Sequence, residues 1–268
     1  MQLMTRERIE DLLRITSDEW RSRIEEWSTR SEIVLLDEVE LLLCRAVCAW
    51  AGVPLNEHDV QTRTWEFSAM ITGAGGVGPT TWKALFLRQR TERWVQSVIR
   101  EIREGKREPP ESSAAYVIAT YRDLSGELLR ADVAAVELIN ILRPTVAVAR
   151  FIAFAAHALY HYPESRRFID SAADEETELF AQEVRRFYPF FPFIGGCVRE
   201  PFDWQGHHFE SGTWVTLDVY GTHRDPRLWE NPESFQPDRF RGWDGSAFNF
   251  IPQGGGITSQ RTAARASG

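Results

Sequence analysis

The sequence predicts a mainly α-helical body with a small β region near its C-terminal end. Three observations predict it. Apolar residues recur at three- and four-residue spacing through the first two thirds of the chain. Short alternating runs punctuated by Gly206 and Gly212 occur only after residue 196. The 268 residues are 43% hydrophobic and 26% charged, an ordinary globular balance with length for one large domain or two smaller ones.

Taken in order, MTRERIEDLL is charged and helical in period, and TSDEWRSRIEEW opens on a Ser17–Asp18 cap signal. EIVLLDEVELLLCRAVCAWAG is a helix stopped by Gly52 and Pro54, and DVQTRTWEFSAMITG is the next. TWKALFLRQRTERWVQSVIREIREG is a long amphipathic run ended by Gly105 and the pair Pro109 and Pro110. SSAAYVIATYRDLSG reads as a polar break. LLRADVAAVELINILRPTVAVARFIAFAAHALYHYP is the longest helical segment, and DEETELFAQEVRRFY is a helix that ends before Pro189. CVREPFDWQGHHFESGTWVTLDVYGTHRDP then reads as hairpins, RLWENPESFQPDRF as a proline-punctuated meander, and Phe248, Phe250 and Ile251 as an apolar strand before three glycines.

A net charge of −8 speaks against a nucleic-acid footprint. The charged N-terminus lacks the apolar core of a secretion signal, and the apolar stretch 144–162 is broken by Arg150, His157 and His161, so a buried helix is expected rather than a membrane span. Cys44, Cys48 and Cys197 fit a reducing cytoplasm, with Cys44 and Cys48 on the inner face of a helix. Residues 73–78 match GxGxxG, but the run before them is helical and Arg88 and Arg90 stand where an acid is needed, so they read as a turn between helices. His157 and His161 have zinc-pair spacing with Ala158 in the general-base position, and read as packing or surface histidines. His207 and His208 read as solvated hairpin-turn residues. No metal site is expected.

Glu183 and Arg186 stand three apart on one helix face, where they can pair. The same spacing recurs at Glu104/Arg107, Glu127/Arg130 and Glu164/Arg167, so alone it carries nothing. Its sequel sets it apart: FYPFFPFIGG, then HRDP, then NPESFQPDRF, then FIPQGGG. That ordered series resembles the C-terminal half of a cytochrome P-450. The resemblance implies a buried ion network of Glu183, Arg186 and Arg239 behind a haem, with Ala147, Gln253 and Gly254 at the cofactor. It covers nearly everything up to Gly256, so residues 1–256 are expected to form a partial cytochrome P-450 domain that lacks the family's N-terminal part and the haem-cysteine loop onward.

Where most members carry an acid–Thr pair in the long central helix, this chain has Arg143 and Pro144. That departure is similar to the bacterial fatty-acid peroxygenase branch, in which an arginine holds the substrate carboxylate and hydrogen peroxide replaces a redox partner. Arg143 offers a planar fork that matches a carboxylate, and Pro144 is expected to open the helix. The alternative is an arginine on the helix exterior beside a chance proline. By the same resemblance, Phe190 and Phe193 lie in a substrate-contacting loop and line an acyl channel.

In the family, the loop after FIPQGGG leads within about ten residues to the cysteine thiolate that ligates haem iron. No cysteine follows Cys197 here. Shifted by one base, the junctions from Arg261/Thr262 to Ser267/Gly268 can encode H-R-C-P-G-E-W, so residues 257–268 are read as an out-of-frame tail after a lost base. The expectation is a cytoplasmic haem-thiolate oxidoreductase of the fatty-acid peroxygenase type, with haem b, fatty acid and peroxide as its partners in the intact family. The chain as written is expected to bind no haem and to be inactive. The competing reading is a non-enzymatic helical remnant that binds a fatty acid or a partner protein.

Overall fold

Thr5 starts the first helix: its side chain accepts a hydrogen bond from the Arg8 amide at 3.3 Å, and helical period then runs unbroken over α1 (Arg6–Trp27). The Ser17–Asp18 signal falls inside this helix and caps nothing, because Asp18 instead pairs with Arg21 at 2.9 Å along the exposed face. This computed structural model describes residues 2–73, 78–171, 173–243, 245–246, 248–252 and 254. By packing, the chain divides into two units, residues 1–152 and 153–268.

The first unit is all helix. α2 (Leu35–Ala51), α3 (Val60–Thr72), α4 (Pro79–Arg103), α5 (Ala114–Thr120) and α6 (Ala131–Ala147) follow α1, and α7 (Ala149–His161) begins in this unit. α2 ends on Gly52 with φ +72°, where a Cβ would stand 2.7 Å from Ser113 Oγ; only glycine accepts both the turn and the contact. Ser113 in turn caps α5 by accepting from the Tyr116 amide at 3.3 Å. That cap creates a helix within the expected polar break, whose Ala114, Ala115, Ile118 and Ala119 are buried. α1 docks on α2 reciprocally: Arg8 Nη2 donates to the Trp50 carbonyl at 2.9 Å, and Trp50 Nε1 donates to the Arg8 carbonyl at 2.7 Å. Buried Glu66 ties α3 to α4 by accepting from Arg63 at 2.7 Å and Thr91 at 3.1 Å, with Arg90 Nε at 2.9 Å.

α6 is the central helix of this unit. Ala134, Ala135, Leu138, Ile139, Leu142 and Val146 are buried among residues of α2, α3, α4 and α5, beside the free thiols Cys44 and Cys48. Residues Ala131–His161 are long and apolar enough to cross a membrane by length and composition, and that buried stripe is the pattern of a core helix. The expected single long helix is interrupted, but not where proline predicts. α6 continues through Pro144 to Ala147, and the break comes at Val148, whose amide donates to the Thr145 carbonyl at 3.2 Å in a tightened last turn.

The second unit takes the rest of α7, then α8 (Arg167–Asp170) and α9 (Asp174–Phe187). Strands β1 (Phe193–Cys197) and β4 (Trp214–Asp218) pair antiparallel, and between them β2 (Phe202–Trp204) and β3 (His207–Phe209) form a hairpin. Gln205 and Gly206, with φ of 50° and 80°, make its two-residue turn. His207 and His208 are therefore exposed strand residues and not turn residues. α10 (Val219–Arg224) covers the segment expected to finish the hairpins, because Asp218 accepts from the Gly221 amide at 2.7 Å and starts a helix. The meander follows and closes in a 3-10 turn, Pro237–Phe240. Phe248, Phe250 and Ile251 form no strand; 248–249 turn, and Ile251 is buried.

Candidate functional site

α9 presents Glu183, Val184 and Arg186 inward at helical spacing, and Glu183 and Arg186 are both 0% exposed. Arg186 Nε donates to Glu183 Oε2 at 2.7 Å and Nη2 to Oε1 at 2.8 Å, a bidentate pair. The remaining donors reach backbone carbonyls: Nη1 to His223 at 2.7 Å and Pro232 at 3.0 Å, Nη2 to Ser234 at 3.2 Å. A guanidinium has five N–H groups, and every one is met.

Arg239, in the turn that ends the meander, brings its Nε to 3.2 Å from the Glu183 carboxylate. Its Nη1 donates to the Glu230 carbonyl at 2.6 Å, and its Nη2 to Asn231 and Ser234 at 3.2 and 3.1 Å. The Gln236 amide donates to Glu183 Oε1 at 2.8 Å. One carboxylate thus holds two guanidiniums, and these gather five carbonyls of α10 and the meander. Such a buried triad is weak evidence for net stability, but it admits only one register between α9 and the meander.

His223 belongs to this cluster although its role was not foreseen from the sequence. It is fully buried; its Nε2 accepts from the Ile251 amide at 2.9 Å, and its ring packs against those of Trp229 and Phe250. Burial, and then the Arg186 cation beside it, push its pKa from 6.5 to about 4, so it is neutral at pH 7. The signal was the first residue of HRDP, but burial of a turn histidine has no periodicity to read.

Arg143 stands on α6, half-buried. Burial lowers its pKa, and the Arg88 cation of α4 adds to that. Among the described residues it has no carboxylate, carbonyl or hydroxyl partner, whereas Arg88 is paired with Glu92 at 2.7 Å. Pro144 beside it is exposed, and Ala147 is half-buried one turn on. In the other unit, Phe190 is half-buried with its ring 4.3 Å from that of Phe191, while Phe193 is the first residue of β1 and 57% exposed, so it lies in a strand and not in a loop. His157 and His161 have ring centroids 4.3 Å apart, and His157 Nδ1 lies 3.1 Å from the Tyr188 hydroxyl, whose pKa burial pushes up to about 12.

The thiol inventory decides what a haem could find here. Cys44 and Cys48 are buried inside the first unit's core, and Cys197 is exposed on β1 with its Sγ donating to the Gly212 carbonyl at 3.3 Å. Among the described residues no group of three or more His, Cys, Asp and Glu could hold a metal ion. Gly254 keeps a left-handed φ of 94°, a conformation that favours glycine, while Gln253 and the tail 257–268 lie outside the described residues, as do 74–77 of the GxGxxG match. The residues present do not fit a haem-thiolate centre: the donor set lacks the thiolate.

A family model for cytochrome P-450 matches residues 177–259, from within α9 to beyond the meander. Cytochrome P-450 137 of Mycobacterium tuberculosis is 26% identical over 168 residues, covering 61% of this chain and 35% of its own length. Among solved structures, cytochrome P-450SP alpha with (R)-ibuprofen is 44% identical at a TM-score of 0.88, covering 96% of this chain and 63% of that one. Cytochrome P-450EX alpha with myristic acid is 42% identical at 0.86, covering 95% and 60%. A variant of cytochrome P-450 OleT with arachidonic acid is 35% identical at 0.88, covering 96% and 61%. The chain therefore spans about a third of that curated relative and under two thirds of those solved chains.

Proposed function

Because this chain belongs to the cytochrome P-450 superfamily, on its fatty-acid peroxygenase branch, we propose that Arg143 holds a fatty acid by its carboxylate. In an intact protein of that branch the binding would serve hydrogen-peroxide-dependent hydroxylation of fatty acids at a haem-thiolate centre, without a redox partner protein, in the cytoplasm. The observation that carries the reading is the half-buried Arg143 guanidinium, unpaired among the described residues, on a helix whose other inward residues are apolar. Burial strips water from the cation, and Arg88 raises the local positive potential; a carboxylate relieves both. Pro144 has no amide to give the Asn140 carbonyl, so the turn carrying Arg143 is short of one helix bond. Phe190 and Phe193 offer apolar surface of the kind an acyl chain takes up. Relatives on this branch are seen with myristic and arachidonic acid, both long-chain carboxylates.

Residues 255–268 contain no cysteine, so this chain offers no thiolate where the family requires one. As written it is a carboxylate-binding frame without turnover. The second reading, a non-enzymatic remnant that binds a fatty acid or a protein partner, rests on the same guanidinium and differs only in what the binding serves.

Calorimetric titration of the full chain with myristic acid tests the anchor. A hydrogen bond to a charged group contributes about 1.5–3 kcal/mol, so Arg143→Ala is expected to weaken binding about tenfold or more. Arg143→Lys is expected to fall between, since a point charge replaces the fork. Methyl myristate, which has no anion, is expected to bind the parent and Arg143→Ala alike. Equal affinity of the parent and Arg143→Ala for myristic acid would make Arg143 a structural residue and remove the proposal.

A further inference from the structure

α7 carries His157 and His161 one turn apart on a face open to solvent, and their rings stand with centroids 4.3 Å apart and planes inclined at 45°. His157 is held in place. Its Nδ1 lies 3.1 Å from the Tyr188 hydroxyl, and the Tyr188 ring stacks on Phe154 at 5.2 Å and meets Phe187 edge-on at 5.1 Å. Burial pushes the Tyr188 pKa up to about 12, so its hydroxyl keeps its proton at pH 7 and stays a neutral hydrogen-bond partner. With Nδ1 engaged there, Nε2 is the ring atom of His157 left for another partner. Among the described residues, no protein group hydrogen-bonds either ring nitrogen of His161.

These features match the two halves of a metal chelate. A ligating histidine turns one ring nitrogen to the ion and gives the N–H of the other to a fixed oxygen, here the Tyr188 hydroxyl. His161 is the last residue of α7, where the free carbonyls of a helix end carry negative partial charge that favours a cation. Ring spacing then selects the ion. With metal–nitrogen bonds of about 2.0–2.1 Å, two imidazoles on one ion have centroids roughly 4.5 Å apart at a right angle and roughly 5.2 Å apart at the tetrahedral angle. The observed 4.3 Å is nearer the right angle, which Cu(II) and Ni(II) prefer and Zn(II) does not.

We propose that His157 and His161 form a two-point site for a divalent transition-metal ion of tetragonal preference, Cu(II) or Ni(II), with the Tyr188 hydroxyl orienting His157. No group of three or more His, Cys, Asp and Glu gathers among the described residues, so water completes the coordination. Ala158 is buried where a general base would stand, which leaves this a binding site and not a second catalytic centre. The ion clips the last turn of α7, and by binding the folded chain it raises thermal stability.

The test titrates the metal-free full chain with Ni(II), which does not oxidise the exposed Cys197 thiol. Calorimetry reads the affinity, and paramagnetic broadening of histidine ring signals reads the position of the ion. One equivalent is expected, with the His157 and His161 signals broadened first and the thermal midpoint raised. His157→Gln and His161→Gln are each expected to weaken binding about tenfold or more, with the far-ultraviolet spectrum of the metal-free chain unchanged. Should His157→Gln misfold, His161→Gln, which removes no hydrogen bond, decides alone. Tyr188→Phe keeps both ligands but frees the His157 ring, and is expected to weaken binding less than either histidine substitution. The double variant His207→Gln, His208→Gln is expected to bind as the parent does. Affinity that survives His161→Gln, affinity lost in that hairpin variant, or tighter binding of Zn(II) than of Ni(II) overturns the proposal.

Discussion

Glu183 is one carboxylate answering two guanidiniums in a space from which water is excluded. Removing its charge while keeping its shape leaves Arg186 and Arg239 facing each other, so Glu183→Gln is expected to cost about 3–5 kcal/mol, read as a lower midpoint in urea. Arg186→Lys keeps the charge but supplies three donors for five acceptors, and is expected to be nearly as harmful. His223 sets a pH dependence. Its folded pKa is about 4 against 6.5 in water, so below pH 6.5 the unfolded chain binds the proton that the folded chain refuses. Stability is therefore full above pH 6.5, falls as the pH drops toward about 4, and changes little from this group below that. The span corresponds to about 3 kcal/mol. Comparing thermal midpoints of the parent and His223→Gln between pH 7 and pH 4 checks this: the difference between them should shrink with acid.

At the scale of elements, the helices of α2, α3, α4 and α9 were legible because apolar period, caps and glycine stops agreed. α5 was hidden because its four buried positions sit between polar flanks, and its start depends on one serine side chain. β1 was hidden because FYPFFPFIGG is crowded with prolines and aromatics, and its pairing with β4 spans a sequence gap that no local pattern reports. Pro144 is the instructive case. A proline inside a helix forfeits one bond and crowds the preceding turn, yet tertiary packing of Leu138, Leu142 and Val146 carries α6 past it to Ala147. Restoring the lost bond to the Asn140 carbonyl in Pro144→Ala is expected to raise stability by about 1–3 kcal/mol, measured as a higher thermal midpoint. A lower midpoint would mean that the bend itself is needed for packing.

At the scale of the whole molecule, residues 177–259 match the family model, and Glu183, Arg186 and Arg239 could be named from the family resemblance that the motif order carries. Their carbonyl acceptors at 223, 230, 231, 232 and 234 could not, since a backbone acceptor leaves no mark on residue identity. Arg143 was legible as a charge out of place in an apolar helix, and its lack of a partner among the described residues became visible only with α4 beside it. Under the proposal, Arg143 is a carboxylate anchor in a chain that has no cysteine after Cys197. The direct measurement is the spectrum of the full chain mixed with haem, reduced, and exposed to carbon monoxide. The account predicts no absorption maximum of the thiolate-ligated kind, with at most the bands of free or weakly held haem. A stable thiolate-type maximum would mean that Cys44, Cys48 or Cys197 can reach the iron, and would contradict the account.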